Sequence, residues 1–120
     1  MVFIIPSLLL DWVFFMEELN KKIKIILNSF NNGNHVDAFT KIEVLLNNYK
    51  NNIDLLLAYG IMCSKLNHNK KAIYIFKKIL LIKQNHTHSL NYLYINYLKI
   101  NQIDESEITL DKLLKIKPQP

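Results

Sequence analysis

Apolar side chains recur along most of the chain at the three- and four-residue spacing that is typical of amphipathic α-helices. The stretch KKAIYIFKKILLIK, from Lys70 to Lys83, is apolar on most of its circumference. Short polar segments that contain Asn or Gly separate such stretches, and these two residues best tolerate the left-handed turn that closes a helix. The pattern predicts six helices, near residues 18–31, 35–48, 53–66, 69–82, 87–100 and 103–116.

The helical pattern repeats at a shift of 34 residues. Small residues coincide at this shift, at Ala38, Ala72 and Ser106. Large apolar residues coincide four positions later, at Ile42, Phe76 and Leu110. The turns between paired helices also coincide, at Gly33, Asn67 and Asn101. Since a small residue lets a neighbouring helix approach and a large one fills the space beside it, the repeat predicts three stacked units of helix, turn and helix.

This unit resembles the tetratricopeptide repeat, a family of 34-residue helix–turn–helix units. The resemblance covers about residues 17–118, and the positions that carry it are Gly33, Ala38, Gly60, Ala72, Tyr97 and Pro118. Lys22 and Ser29 depart from the family's apolar and aromatic preferences, and Lys50 and Gln84 replace its closing proline. The resemblance implies an all-α fold, a right-handed α-solenoid of antiparallel helix pairs. This fold would have six helices, with a further apolar helix at the N-terminus as an option.

The first 16 residues differ in composition from the repeat region, residues 17–120. They are strongly apolar but fall short of the about 20 residues that a membrane span needs, and Pro6 and Asp11 interrupt them. We consider three interpretations. The segment is a docking helix that covers the first unit, a membrane anchor, or the result of a start codon assigned too early, because MEELNKKI from Met16 reads like a natural beginning.

By resemblance, the first helix of each unit lines the concave face of the solenoid, where members of the family bind partners. The residues predicted to line this groove are Ile23, Leu27, Phe30, Leu57, Ile61, Ser64, Lys65, Asn91, Tyr92, Ile95 and Lys99. They form an apolar surface with a polar end and a fringe of lysines, which favours an amphipathic helix or extended apolar segment of another protein. In a second interpretation, residues 8–15 of the chain itself fill the first part of the groove.

The charge of the chain limits the kinds of partner that fit it, and its cysteine content indicates its cellular compartment. The net charge of +5 comes from lysine alone, and the sequence contains no arginine, the usual residue for phosphate and base recognition. This argues against nucleic acid as the partner. The single cysteine, Cys63, cannot form an internal disulfide and fits a reducing, cytoplasmic location.

The sequence carries no pattern typical of catalysis. Glycine-rich phosphate loops and metalloprotease motifs are missing, and His86 and His88 are two positions apart, so they do not face each other on a helix. We therefore predict no catalytic residue, cofactor or metal. The predicted function is a bacterial, cytoplasmic protein–protein interaction scaffold that contacts membranes only through residues 1–15, if at all. The alternative is an N-terminal repeat module of a larger bacterial enzyme that resembles the repeat-bearing sulfotransferases or glycosyltransferases.

Overall fold

A computed structural model describes residues 4–116, which form helices joined by turns and contain no strand in that range. The six helices of this range are α1 (Ile4–Asn31), α2 (His35–Asn48), α3 (Ile53–Lys65), α4 (Asn69–Ile82), α5 (Thr87–Lys99) and α6 (Ile103–Lys115). The predicted bounds of α2 to α6 agree with these to within one residue. Pro118, which contributed to the resemblance, lies outside the described residues.

The turn inside each unit has the same geometry, as its repeated residues predicted. Gly33, Asn67 and Asn101 adopt positive φ angles of 94°, 60° and 61°. Beyond each, a backbone N–H returns to a carbonyl five residues earlier, with distances of 3.0 Å for Asn34 to Ser29, 2.9 Å for His68 to Cys63 and 2.9 Å for Gln102 to Tyr97. This pattern is the Schellman motif, which satisfies carbonyls left free at a helix end. The prediction that these positions close the helices is confirmed.

The turns between units begin the next helix with a side-chain cap. The Asn52 side chain accepts a hydrogen bond from the backbone N–H of Leu55 at 3.0 Å, at the start of α3. His86 stands 34 positions later, and its Nδ1 accepts from the backbone N–H of Ser89 at 3.3 Å, at the start of α5. Both satisfy a donor that the helix itself cannot pair.

Small residues lie where the helices approach most closely. Ala38, Ala72 and Ser106 are at most 1% exposed, and Ile42 and Phe76 beside them are completely buried. Helix α3 contributes to two apolar clusters, one shared with α1 and α2 and one shared with α4 and α5. The stacking of like pairs on like pairs confirms the predicted fold class, an all-α, right-handed α-solenoid of antiparallel helix pairs of the tetratricopeptide-like kind.

The face of α1 that points away from the stack is polar. In α3, the residues that face the preceding unit are buried: Leu55, Ala58 and Met62. Their equivalents in α1 are exposed: Lys21, Lys24 and Asn28. A polar outer face on a terminal repeat keeps a solenoid end soluble. The polar residues that α1 has at these positions are therefore those expected on a helix face that contacts solvent.

Helix α1 differs from the prediction at its N-terminal end, because it begins at Ile4 and continues without a break past residue 16. From Leu8 to Phe15 its side chains are exposed, and the ring of Phe15 contacts that of Tyr49, with 5.3 Å between centroids. Residues 8–15 thus extend α1 and do not fill the concave groove, which corrects that interpretation. A separate docking helix that folds over the first unit is likewise not formed. Within residues 4–116 no helix combines the length and apolar character needed to cross a membrane.

Candidate partner-binding groove

The inner wall of the solenoid consists of α1, α3 and α5, which lie side by side. Lysines join their C-terminal ends: Lys65 Nζ donates to Asn31 Oδ1 at 3.2 Å, and Lys99 Nζ donates to the backbone oxygen of Ser64 at 3.1 Å. Asn31, Lys65 and Lys99 are equivalent positions of the repeat. These contacts bring equivalent ends of neighbouring inner helices together, so equivalent side chains are expected to form rows across the wall.

One such row is apolar and accessible. Leu27, Ile61 and Ile95 occupy equivalent positions in the three inner helices, and each is half-buried. Since the inner helices are in register, the three side chains line up across the wall. This row is the centre of the predicted groove.

Further predicted residues surround the row. Leu57 is half-buried, Asn91 is exposed, and Tyr92 is half-buried with its ring stacked on Phe76, 5.3 Å between centroids and 11° between planes. Lys65 and Lys99 are exposed at the C-terminal ends of α3 and α5. The surface therefore combines an apolar centre with a positively charged end, where an acidic group of a partner would be favoured.

Two predicted groove residues, Ile23 and Phe30, are buried instead, with exposed fractions of 8% and 4%. They pack among residues of α2 and α3, and the Phe30 ring meets that of Phe39 edge to face at 5.9 Å. The prediction placed them one step away from the packing stripe, but in α1 they belong to the stripe itself, with Leu19. Their side chains therefore belong to the core of the first unit and are not exposed on the groove surface.

Ser64 is also buried, in a polar contact between α3 and α5. Asn96 Nδ2 donates to Ser64 Oγ at 3.0 Å and to the backbone oxygen of Tyr92 at 2.7 Å. Asn96 is itself completely buried and was not among the predicted residues. The sequence offers a signal for it, because Asn96 is polar whereas the equivalent residue of the second unit, Met62, is apolar.

The potentially reactive side chains near the groove, Cys63, Tyr59 and Lys71, are buried or paired with neighbouring residues. Cys63 is completely buried, and this burial raises the pKa of its thiol to about 11, so that it stays protonated and poorly nucleophilic. The Tyr59 hydroxyl donates to Glu43 Oε1 at 3.0 Å, and Lys71 Nζ lies 4.9 Å from the centre of the Tyr59 ring. These contacts join α2, α3 and α4.

The histidines do not form a metal site with other ligands. The rings of His86 and His88 are 6.0 Å apart, and His86 is engaged as the cap of α5. Among residues 4–116 there is no group of three or more His, Cys, Asp or Glu side chains placed to hold a metal ion.

Comparison with solved structures finds the same arrangement of helices in secretion chaperones. No protein-family model and no curated protein sequence matches the chain. Two structures of SycD, the type III secretion translocator chaperone of Yersinia enterocolitica, each superpose with a TM-score of 0.74 at 16% identity. One, an alternative dimer, matches over 85% of this chain and 80% of SycD, and the other over 86% and 73%.

A further match is PcrH in complex with the chaperone binding region of PopD. Its TM-score is 0.72 at 15% identity, over 82% of this chain and 74% of PcrH. At such low identity these matches establish a shared helical-repeat fold and nothing about which residues bind a partner.

Proposed function

We propose that this protein is a non-catalytic interaction module of the tetratricopeptide kind, which binds an apolar segment of another protein in its concave groove. The observation that carries the proposal is the row Leu27, Ile61 and Ile95, which leaves an apolar side chain of each inner helix accessible at the same level of the wall. Because the row is in register, a partner helix or extended segment laid across it contacts all three units at once.

The comparisons support a protein as the partner. PcrH, which shares the fold, is known in complex with a region of another protein, the chaperone binding region of PopD. The matched structures are of chaperones and give no support to the alternative of an enzyme module. The buried free thiol of Cys63 fits a reducing compartment, and the proposal therefore places the protein in the cytoplasm.

The groove sets the chemistry of the segment it would bind. Burying one large apolar side chain against the row contributes about 1.5–3 kcal/mol, so two or three such residues spaced along the segment are needed for stable binding. Lys65 and Lys99 lie at one end of the groove and favour an acidic flank there. We expect an amphipathic helix or extended strand with apolar anchors and acidic residues on one side.

Site-specific photo-crosslinking tests the proposal. A benzophenone amino acid at position 61 would be compared with one at position 36, since Val36 is exposed on α2, an outer helix. In cells of the source organism, position 61 is expected to crosslink to a recurrent apolar segment of another protein, while position 36 is not. The crosslinked segment is then identified by mass spectrometry and synthesised as a peptide.

The synthetic peptide provides the deciding measurement. It is expected to bind the purified protein with 1:1 stoichiometry, and Ile61→Asp is expected to weaken binding at least about tenfold, because a buried unpaired carboxylate is costly. Val36→Asp is the matched control and keeps the affinity of the original chain. Equal crosslinking at both positions, or equal peptide affinity of the two variants, would refute the groove as the binding site.

A further inference from the structure

The structure contains a second apolar helix surface that the concave groove does not use. Leu8, Trp12 and Phe15 lie on one stripe of α1, at spacings of four and three residues, and are exposed by 64%, 59% and 38%. The same spacing continues into Leu19 and Ile23, which form the core of the first unit. The core stripe of α1 therefore extends beyond the unit that it stabilises, and no other helix within residues 4–116 covers it.

An apolar groove lies at the opposite end of the stack, on the outer face between α4 and α6. Its volume is about 1300 Å³, and α5 provides its floor through Leu90, Leu93 and Tyr97. Tyr74 and Ile108 are exposed on its two walls. In the described part of the chain, α4 and α6 make no close backbone contact with each other.

The repeat explains why this groove is open. At the equivalent place between α2 and α4, Phe39 and Tyr59 meet edge to face with 5.7 Å between ring centres. The positions 34 residues later hold Ile73 and Leu93, which are smaller. At these two positions the outer space holds two aromatic rings in one place and two smaller aliphatic side chains in the other, where Tyr97 stands at the position equivalent to Cys63.

The charges of the two surfaces are complementary. Lysines surround the outer groove, with a single carboxylate among its lining residues, Glu105; the lysines are Lys70, Lys77, Lys78, Lys112 and Lys115, of which Lys115 is paired with Asp111 at 3.0 Å. The exposed part of α1 carries the opposite sign, with Asp11, Glu17 and Glu18 and no lysine before Lys21. Asp11 and Glu18 flank the apolar stripe on one side of the helix, and Glu18 also lies 3.5 Å from Lys21 Nζ in an exposed ion pair. Apolar and charged groups of α1 therefore match those of the groove.

We infer that the Leu8–Phe15 part of α1 in one copy of this protein lies in the α4–α6 groove of a second copy. The apolar stripe would contact the floor and walls while Asp11 and Glu18 meet the surrounding lysines. A chain cannot fill its own groove, because α1 is one unbroken helix that packs on α2 of the first unit and on α3 of the second, at the other end of the stack. The contact is heterologous, joining different surfaces of the two copies, and it does not involve the concave groove.

The single tryptophan, Trp12, gives a direct signal for this contact. With increasing concentration of the full chain, self-association is expected in sedimentation velocity, together with a blue shift of the Trp12 emission as its ring leaves water. Trp12→Asp and Ile108→Asp each change an exposed residue on one of the two surfaces. Each variant is expected to self-associate at least about tenfold more weakly, because the introduced carboxylate would be buried.

Mixing the two variants distinguishes a heterologous contact from pairing of two α1 helices. The Trp12→Asp protein keeps an intact groove and the Ile108→Asp protein keeps an intact α1, so together they are expected to form a 1:1 complex that neither forms alone. Only the Ile108→Asp copy contains a tryptophan, and its emission is expected to shift to the blue on mixing. Circular dichroism of both variants confirms that they remain folded.

Val44→Asp is the matched control for Ile108→Asp, because Val44 is an outer-face residue of α2 with nearly the same exposure, 56% against 58%. It should leave self-association unchanged. The inference is overturned if the unaltered chain stays monomeric with constant Trp12 emission. It is also overturned if Ile108→Asp associates as strongly as the unaltered chain, which would indicate α1–α1 pairing, or if the mixed variants show no complex.

Discussion

Gly60 of α3 lies so close to Phe76 of α4 that a Cβ atom at Gly60 would stand 2.8 Å from the Phe76 ring. Phe76 is completely buried, and its ring is also stacked on Tyr92 of α5, with ring centres 5.3 Å apart. The ring is therefore held between two helices of neighbouring units and has little room to move. The Phe76 ring thus links the pairing of α3 with α4 in the second unit to the packing of α4 on α5 of the third unit.

The first prediction concerns this close approach. Alanine is a better helix former than glycine by about 1 kcal/mol, but we expect Gly60→Ala to lower the free energy of unfolding by about 1–3 kcal/mol because it overpacks the contact. Urea denaturation measures the change. In a Phe76→Leu background the added methyl has more space, so the same substitution should cost less there. An equal cost in both backgrounds would show that the ring does not restrict Gly60.

The second prediction concerns the buried pair Ser64 and Asn96. Ser64→Ala removes one of the two acceptors of Asn96 Nδ2, the other being the backbone oxygen of Tyr92, and we expect it to reduce the free energy of unfolding by about 1–2 kcal/mol, since one buried N–H loses its hydrogen bond. The double variant Ser64→Ala/Asn96→Leu removes both polar partners and should recover part of this loss. A double-mutant cycle by chemical denaturation tests the coupling. Strictly additive effects of the two substitutions would contradict it.

The third prediction concerns pH and the cap of α5. Burial, assisted by the charges of Lys83 and His88, lowers the pKa of His86, while Asp54 acts in the opposite direction. The folded state thus favours the neutral ring, whose Nδ1 accepts the hydrogen bond from Ser89. The stabilisation is complete above the ordinary histidine pKa of about 6.5 and is lost as the pH falls through the lowered value in the folded state.

His86→Asn replaces the titrating ring by a side chain that can cap α5 without changing its charge. Asn52 performs this capping role at the equivalent position of α3. The variant should keep its stability at about pH 8 and lose less than the unaltered chain between about pH 7 and 5. His86→Ala should be less stable by about 1 kcal/mol at about pH 8, where the neutral cap is intact. Thermal denaturation across this pH range measures both. If His86→Asn and the original sequence had identical pH profiles of stability, protonation of His86 would not be the cause of the loss of stability at low pH.

Much of the fold could be predicted because its determinants are local and recur. Gly33, Asn67 and Asn101 mark turns through their own backbone preferences, and Ala38 and Ala72 mark close helix contacts through their size. Such features depend on a residue's own conformational range or volume. The repeat makes each of them visible more than once, which is why the bounds of α2 to α6 agree so closely with the sequence pattern.

The groove could be predicted less well, because exposure depends on which neighbours are present. The repeat rule assigns the same exposure to equivalent residues, but Ile23 is buried against α2 and α3 while its equivalent Leu57 is half-buried. Phe30 and its equivalent Ser64 are both buried, Ser64 through a hydrogen bond with Asn96 that the apolar spacing does not reveal. The sequence pattern also placed the start of α1 too late. It treated the change in composition at residue 16 as a boundary, although such a change does not interrupt a helix.

The fourth prediction compares two apolar residues of α1. Leu27 is half-buried in the groove row, whereas Ile25 is 61% exposed and does not belong to that row. Leu27→Asp should weaken binding of the crosslinked segment at least about tenfold while helicity is retained. Ile25→Asp should leave the affinity unchanged, as measured by calorimetric titration. If Leu27→Asp instead abolishes the helical signal, Leu27 belongs to the core and its assignment to the groove is wrong.

The most direct test of the account is an NMR titration of the isotope-labelled protein with the segment identified by crosslinking to position 61. Binding in the concave groove predicts chemical-shift changes centred on Leu27, Ile61 and Ile95, with smaller changes at Lys65 and Lys99. Side chains on the outer face, such as Val36 and Ile108, should be unaffected. Shift changes confined to the outer helices, with the row unchanged at saturating peptide, would contradict the claim that the inner wall binds the partner.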